Sequence, residues 1–145
     1  MTVAVMLKIS SLVVITLGFF GMSYADDVSK APFAPTALAD KRMVMSYYEA
    51  TGQLKEKIGL TYYADLKDHT FFSALLNGSG GHEGYYSYHR VSGTEGVITV
   101  EHPTGPMHGW TYTMDLHFSN PHLGIFDIVD RGIINGTMHG VFTLS

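Results

Sequence analysis

Trp110-Thr111-Tyr112-Thr113-Met114-Asp115-Leu116-His117-Phe118 alternates apolar and polar residues without a break. Successive side chains point to opposite faces of a strand, so Trp110, Tyr112, Met114, Leu116 and Phe118 share a dry face. Thr111, Thr113, Asp115 and His117 share a wet one. Such a strand needs neighbours of the same kind, and a sheet built from them must close or stack to hide its dry side.

The neighbours are present on both sides. Alternating runs are read at Arg42 to Tyr48, Gly59 to Leu66, Thr70 to Leu76, Tyr85 to Val91, Val97 to His102, Gly109 to Phe118, Leu123 to Val129 and Thr137 to Leu144. Ala50 to Lys57 is polar and holds a Thr51-Gly52 turn, with one turn of helix as the alternative. Asn77 to Gly84 carries four glycines in eight residues and reads as a flexible loop. The remaining links are short turns, so the expected fold is all-β: an eight-stranded antiparallel up-and-down barrel over 42–145. Closure removes the exposed edges of the meander. An open two-sheet sandwich is the alternative, but no long crossover connection is evident.

The N-terminus reads differently. Lys8 is followed by a mostly apolar run to Gly21 and then by Ser23-Tyr24-Ala25 before Asp26-Asp27. A basic end, an apolar stretch shorter than the ~20 residues of a membrane span and a small-residue cleavage site read as a secretory signal peptide over 1–25, cut after Ala25, with an uncleaved N-terminal anchor as the alternative. Residues 26–41 contain Ala31-Pro32-Phe33-Ala34-Pro35, which resists helix and sheet interior. They are read as a linker or a strap over one end of the domain, with Phe33 as its anchor.

Composition narrows the function classes. After cleavage the chain keeps all 13 acidic residues and 8 of its 9 basic ones, a formal charge of -5. That is no electrostatic footprint for nucleic acid, and no polybasic segment faces anionic lipid. Cysteine is absent, which rules out thiolate metal sites and a cysteine nucleophile. Export without disulfides suits a periplasmic or secreted bacterial protein. Asn77-Gly78-Ser79 and Asn135-Gly136-Thr137 match glycosylation sequons and read more simply as Asn-Gly turns.

The succession Tyr86-x-Tyr88, Gly96-x-Ile98-x-Val100, Trp110-x-Tyr112-x-Met114-x-Leu116-x-Phe118, Gly124-x-Phe126 and Gly136-Thr137-x-x-Gly140-x-Phe142-x-Leu144 resembles the lipocalin-like (calycin-like) barrels of exported bacterial proteins. The resemblance covers most of the mature chain and implies a barrel that binds a small apolar molecule. It carries over no catalytic residue.

Tyr86, Tyr88, Trp110, Tyr112, Met114, Phe118 and Phe142 are expected to face inward, with Arg90 in phase with the two tyrosines. These eight are the candidate binding residues for a small apolar or aromatic ligand, since such pockets combine apolar walls with a few polar handles. An eight-stranded barrel sits at the size where the same residues form either a filled core or a cavity. Arg90 with Glu101 and the tyrosines could bind a carboxylate or do acid-base work, or form a cross-strand pair on the outside. The signatures of serine hydrolases, zinc proteases and phosphate loops are missing, so an enzyme is not expected and no cofactor is implied.

All eight histidines lie after the signal segment. His82, His102, His108 and His122 are assigned to loops or strand ends, and His117 and His139 to polar faces. The main reading is scattered surface histidine. The alternatives are copper or zinc held by His102, His108 and His122, and a filled barrel acting on a protein through the loops His82 to Gly84 and His102 to Gly109.

Overall fold

A computed structural model of the chain describes residues 32–78, 80–105, 108–130 and 136–145. The expected signal peptide lies outside them, as does the start of the strap. The eight strands are β1 (Arg42–Ala50), β2 (Thr61–Leu66), β3 (Thr70–Leu75), β4 (Gly81–Arg90), β5 (Glu95–His102), β6 (Trp110–Asn120), β7 (Leu123–Asp130) and β8 (Gly136–Leu144). Each pairs antiparallel with the next, and β8 pairs with β1, closing the barrel in strand order. The sandwich alternative is therefore excluded.

The alternation in sequence becomes inside and outside. Met114, Leu116 and Phe118 are buried while Thr113 and Asp115 face out. On the adjoining β7 and β8, Phe126, Ile128, Phe142 and Leu144 belong to the same apolar core. The interior is apolar, whereas the interior of a barrel that spans a bilayer is polar. No described helix is long and apolar enough to cross a membrane.

Two cross-strand pairs show how the interior is filled. Gly124 lies opposite Phe142, and Phe126 opposite Gly140. Each ring lies over the glycine beside it: a Cβ on Gly124 would stand 2.6 Å from Phe142 Cζ, and one on Gly140 would run into Phe126 and the Ser46 carbonyl. A small residue beside a large one lets the side chains interdigitate at interior density.

β1 is longer than its seven-residue reading. Its register slips between Tyr47 and Glu49, a bulge that inserts one extra residue. Tyr48 is thereby turned out and Ala50 returned to the interior. A short 3-10 helix (Gly52–Lys57) follows, as the helical alternative anticipated, and its Leu54 is buried. The Thr51 N–H donates to the Thr137 carbonyl at 2.9 Å, and the Thr137 N–H donates to Thr51 Oγ1 at 2.9 Å. These bonds tie the helix entry to β8.

β4 corrects the reading of the glycine segment. The strand begins at Gly81, not Tyr85, so His82, Glu83 and Gly84 are paired residues and not loop. Gly84 stands opposite Phe71, whose ring occupies the space of a Cβ there. This glycine accommodates packing.

The two ends of the barrel differ. Residues 32–41 cross the end that carries the β2–β3, β4–β5 and β6–β7 turns. The Ala34 N–H donates to the Gly93 carbonyl at 2.9 Å, and the Asp40 N–H to the Leu66 carbonyl at 2.9 Å. Tyr88 Oη donates to the Pro35 carbonyl at 2.9 Å. Within 32–41 the principal anchors are Ala34 and Leu38, each 1% exposed; Phe33 is half-buried against the same core. The opposite end carries the 3-10 helix and the described parts of the β3–β4 and β5–β6 connections, and among the described residues nothing plugs it.

Candidate functional site

The unplugged half of the barrel contains a cavity of about 410 Å³. Met45 and Tyr47 on β1, Tyr62 on β2, Ser73 on β3, His82 on β4, Trp110 and Tyr112 on β6, Ile128 on β7 and Met138 on β8 form its wall, with Leu54 and Lys57 of the 3-10 helix at its mouth. The volume falls within the range of small-molecule sites. Most of the wall is apolar or aromatic. Tyr47 meets Tyr62 edge-on at 5.5 Å and Phe126 edge-on at 5.4 Å. Burial, with Tyr112 and Tyr62 adding to it, pushes the Tyr47 phenol far above its ordinary range, so it stays a neutral hydroxyl.

Of the eight candidate binding residues, the structure brings Trp110 and Tyr112 to this cavity. Met114 lies deeper, in the packed core. Tyr86 and Tyr88 belong to the plugged half, where Tyr86 Oη donates to the Lys67 carbonyl at 2.5 Å and Tyr88 holds the strap. Phe118 and Phe142 pack edge-to-face at 5.0 Å in that same half. Arg90 is exposed and stands opposite Gly96, next to the β4–β5 turn. Glu101 is exposed opposite Tyr85. The Arg90–Glu101 pairing is thus overturned in both forms: the residues are at different levels of the sheet, and the register puts neither beside the other.

Tyr47 and Tyr62 line the cavity and were not among the candidate residues. His102 ends a strand, as expected, but it is not a surface histidine. It occupies the last inward position of β5, in phase with Ile98 and Val100, and is 2% exposed. It is wedged between two residues of the cavity wall, 4.9 Å from the His82 ring and 5.8 Å from the Tyr112 ring, with Phe71 edge-on at 5.4 Å. Neither ring nitrogen has a hydrogen-bond partner among the described residues. Burial, with His82 adding to it, pulls its pKa down to about 4. Burial lowers His82 as well, with Lys57 as the second cause. Both imidazoles are neutral at neutral pH.

The other histidines do not join them. His108 Nδ1 lies 2.5 Å from the Pro103 carbonyl, and His122 Nδ1 lies 3.0 Å from the Leu144 carbonyl at the plugged end. The trio His102, His108 and His122 is therefore not one site. His117 and His139 face outward as expected. Asp127 bridges them, touching His139 Nδ1 with Oδ1 and lying 3.5 Å from His117 Nε2 with Oδ2; Glu95 stands 3.5 Å from His117 Nδ1. Among the described residues no group of three or more histidines and carboxylates could hold a metal ion.

The fold and the site define a closed up-and-down barrel with one plugged end and one hollow end. No family model matches the chain, and no curated protein or solved structure matches it. The likeness to lipocalin-like barrels rests on strand order alone.

Proposed function

We propose that this is an exported small-molecule-binding barrel that holds an apolar or aromatic ligand in its unplugged half. The observation that carries the reading is the 410 Å³ cavity walled by Trp110, Tyr112, Tyr47 and Tyr62. An eight-stranded barrel is small enough for side chains to fill its interior, so a cavity of this size with aromatic walls is what a small-molecule site requires and a purely structural barrel does not. Export is supported by the leader-like segment before Asp26 and by the absence of cysteine. A filled barrel acting through its loops would not need the cavity, so the binding reading is preferred.

Native mass spectrometry of protein purified from its own host is the direct test, expected to show an organic adduct lost on denaturation. Trp110, the single tryptophan, reports binding of a test ligand by fluorescence. Ser73 faces inward on the cavity wall and is 6% exposed, so Ser73→Phe fills the site and is expected to weaken binding at least ~tenfold, roughly the loss of one well-buried apolar contact. Absence of any adduct, with a Ser73→Phe variant that binds as the parent does, would remove the reading.

A further inference from the structure

The cavity wall is mostly apolar or aromatic, with Ser73 opposite His82 on the neighbouring strand among its polar groups. His82 and Lys57 line it together, close enough for the Lys57 charge to act on His82, and the His102 ring stands 4.9 Å from the His82 ring. The charged and titratable groups that face this corner come from four directions: His82 from β4, Tyr112 from β6, Lys57 from the 3-10 helix, and Tyr47 and Tyr62 from across the cavity. None of the described lining residues is an Asp or Glu, although acidic residues outnumber basic ones in the chain. The carboxylate of Glu56, which pairs with Lys57 at 3.2 Å, is 73% exposed and lies outside the lining. The corner is thus a place where negative charge is accepted, bordered by aromatic rings.

Buried polar groups are normally satisfied, and one left unpaired costs about 1–3 kcal/mol. His102 is such a group, with two nitrogens that have no partner among the described residues, in a side chain 2% exposed. Resting on the binding function proposed above, we infer that the ligand is an aromatic carboxylic acid whose head group seats at His82 and Lys57, and that one proton from solvent enters with it and is held between the carboxylate and the His82–His102 imidazole pair. The rings of Trp110, Tyr112, Tyr47 and Tyr62 take the aromatic body. The ligand arrives as the carboxylate, the proton comes from bulk water, and no covalent bond changes. Because the imidazoles are neutral before binding, the carboxylate raises their proton affinity, and the complex carries one proton more than its separated parts.

Linkage then fixes the pH dependence. One proton taken up per ligand makes binding tighten by up to about tenfold per pH unit as pH falls toward the value at which the free imidazoles take their own proton. Isothermal titration with naphthoic acid and with its neutral near-isostere naphthamide, in buffers of different ionisation enthalpy, measures both quantities. At neutral pH the acid is expected to bind at least ~tenfold more tightly than the amide, the worth of one charge-assisted contact. Only the acid should show proton uptake. His82→Phe is expected to abolish the uptake. Lys57→Met, on a partly exposed side chain that does not belong to the core, is expected to reduce the acid's advantage to within about twofold while leaving the amide's affinity unchanged. Equal binding of acid and amide would overturn this inference and leave the binding function standing. An acid preferred without proton uptake would overturn the role given to the imidazoles. Failure of both probes to bind would overturn this inference and leave the binding function to the native mass measurement.

Discussion

The most exacting consequence of the structure concerns His102 in the unliganded protein. In the unfolded chain its imidazole takes a proton at the ordinary value of 6.5; in the barrel, burial delays this to about 4. Between those values the unfolded state binds more protons than the folded one, so lowering the pH favours unfolding. The stability is fully present above pH 6.5 and is lost as the pH falls toward 4. For one such group, linkage gives a loss of about 2.5 kcal/mol between about pH 7.5 and about pH 4.5. The perturbation that isolates it is His102→Phe. A phenyl ring takes the same place among Phe71, His82 and Tyr112 and carries no nitrogen to leave unpaired. At about pH 7.5 the variant is expected to be as stable as the parent or more so, by up to the ~1–3 kcal/mol that an unsatisfied buried group costs. Urea unfolding followed by Trp110 fluorescence, repeated at both pH values, gives the two differences. His82 adds acid sensitivity in the same direction, since burial lowers it as well, so the variant should retain a smaller pH dependence. Parent and variant losing the same stability between the two pH values would refute the assignment of His102 as a buried neutral base.

Three further outcomes follow from packing. Gly140→Ala is expected to destabilise by about 2 kcal/mol or more, because the new methyl would have to displace the Phe126 ring or the β1 backbone; a thermal melt within a degree of the parent's would contradict the ring-over-glycine packing. Leu38→Ala is expected to cost about 2–5 kcal/mol in urea unfolding, the usual range for a buried leucine, which would establish the strap as part of the core; a loss no larger than that of a surface substitution would mean the strap is only laid across the barrel end. Tyr88→Phe removes the hydroxyl bond to Pro35 and is expected to cost about 1 kcal/mol and to speed proteolytic cleavage within 32–41, read by limited digestion.

Much of this fold was legible because it depends on a period of two. From Trp110 to Phe118 the inward set in sequence is the inward set in the barrel, and eight such runs joined by short turns leave few topologies. What could not be read were places where one residue serves two demands. Gly81 to Gly84 looked like a loop because glycine tolerates many backbone angles; here Gly84 is a strand residue whose missing side chain makes room for Phe71. Arg90 kept the inward phase of Tyr86 and Tyr88, but the strand leaves the sheet just beyond it, and a charge at the rim turns to water. His102 stood beside Pro103 and looked like a strand end open to solvent, yet strands tilt in a barrel, and the last inward position of β5 still lies beneath the neighbouring rings. The site followed the same pattern. Trp110 and Tyr112 were found because they belong to the clearest strand. Phase alone could not tell which end of the barrel is hollow, since that depends on where the strap lies and on the 3-10 helix beside β8.

The pairing of β1 with β8 has a consequence for how the chain reaches this state. Seven of the eight strand pairings join neighbours in sequence and can form as local hairpins. The eighth joins Met43 to Leu144, next to the reciprocal backbone bonds between Arg42 and Ser145. Bringing together segments about a hundred residues apart is slow, because the loop entropy is lost before the contacts reward it. Until that closure, β1 and β8 each present an unpaired edge beside an uncovered apolar face, the arrangement that recruits other chains into sheets. The hazardous interval in the life of this protein is thus the time between hairpin formation and ring closure, and a chain ending before β8 would never leave it.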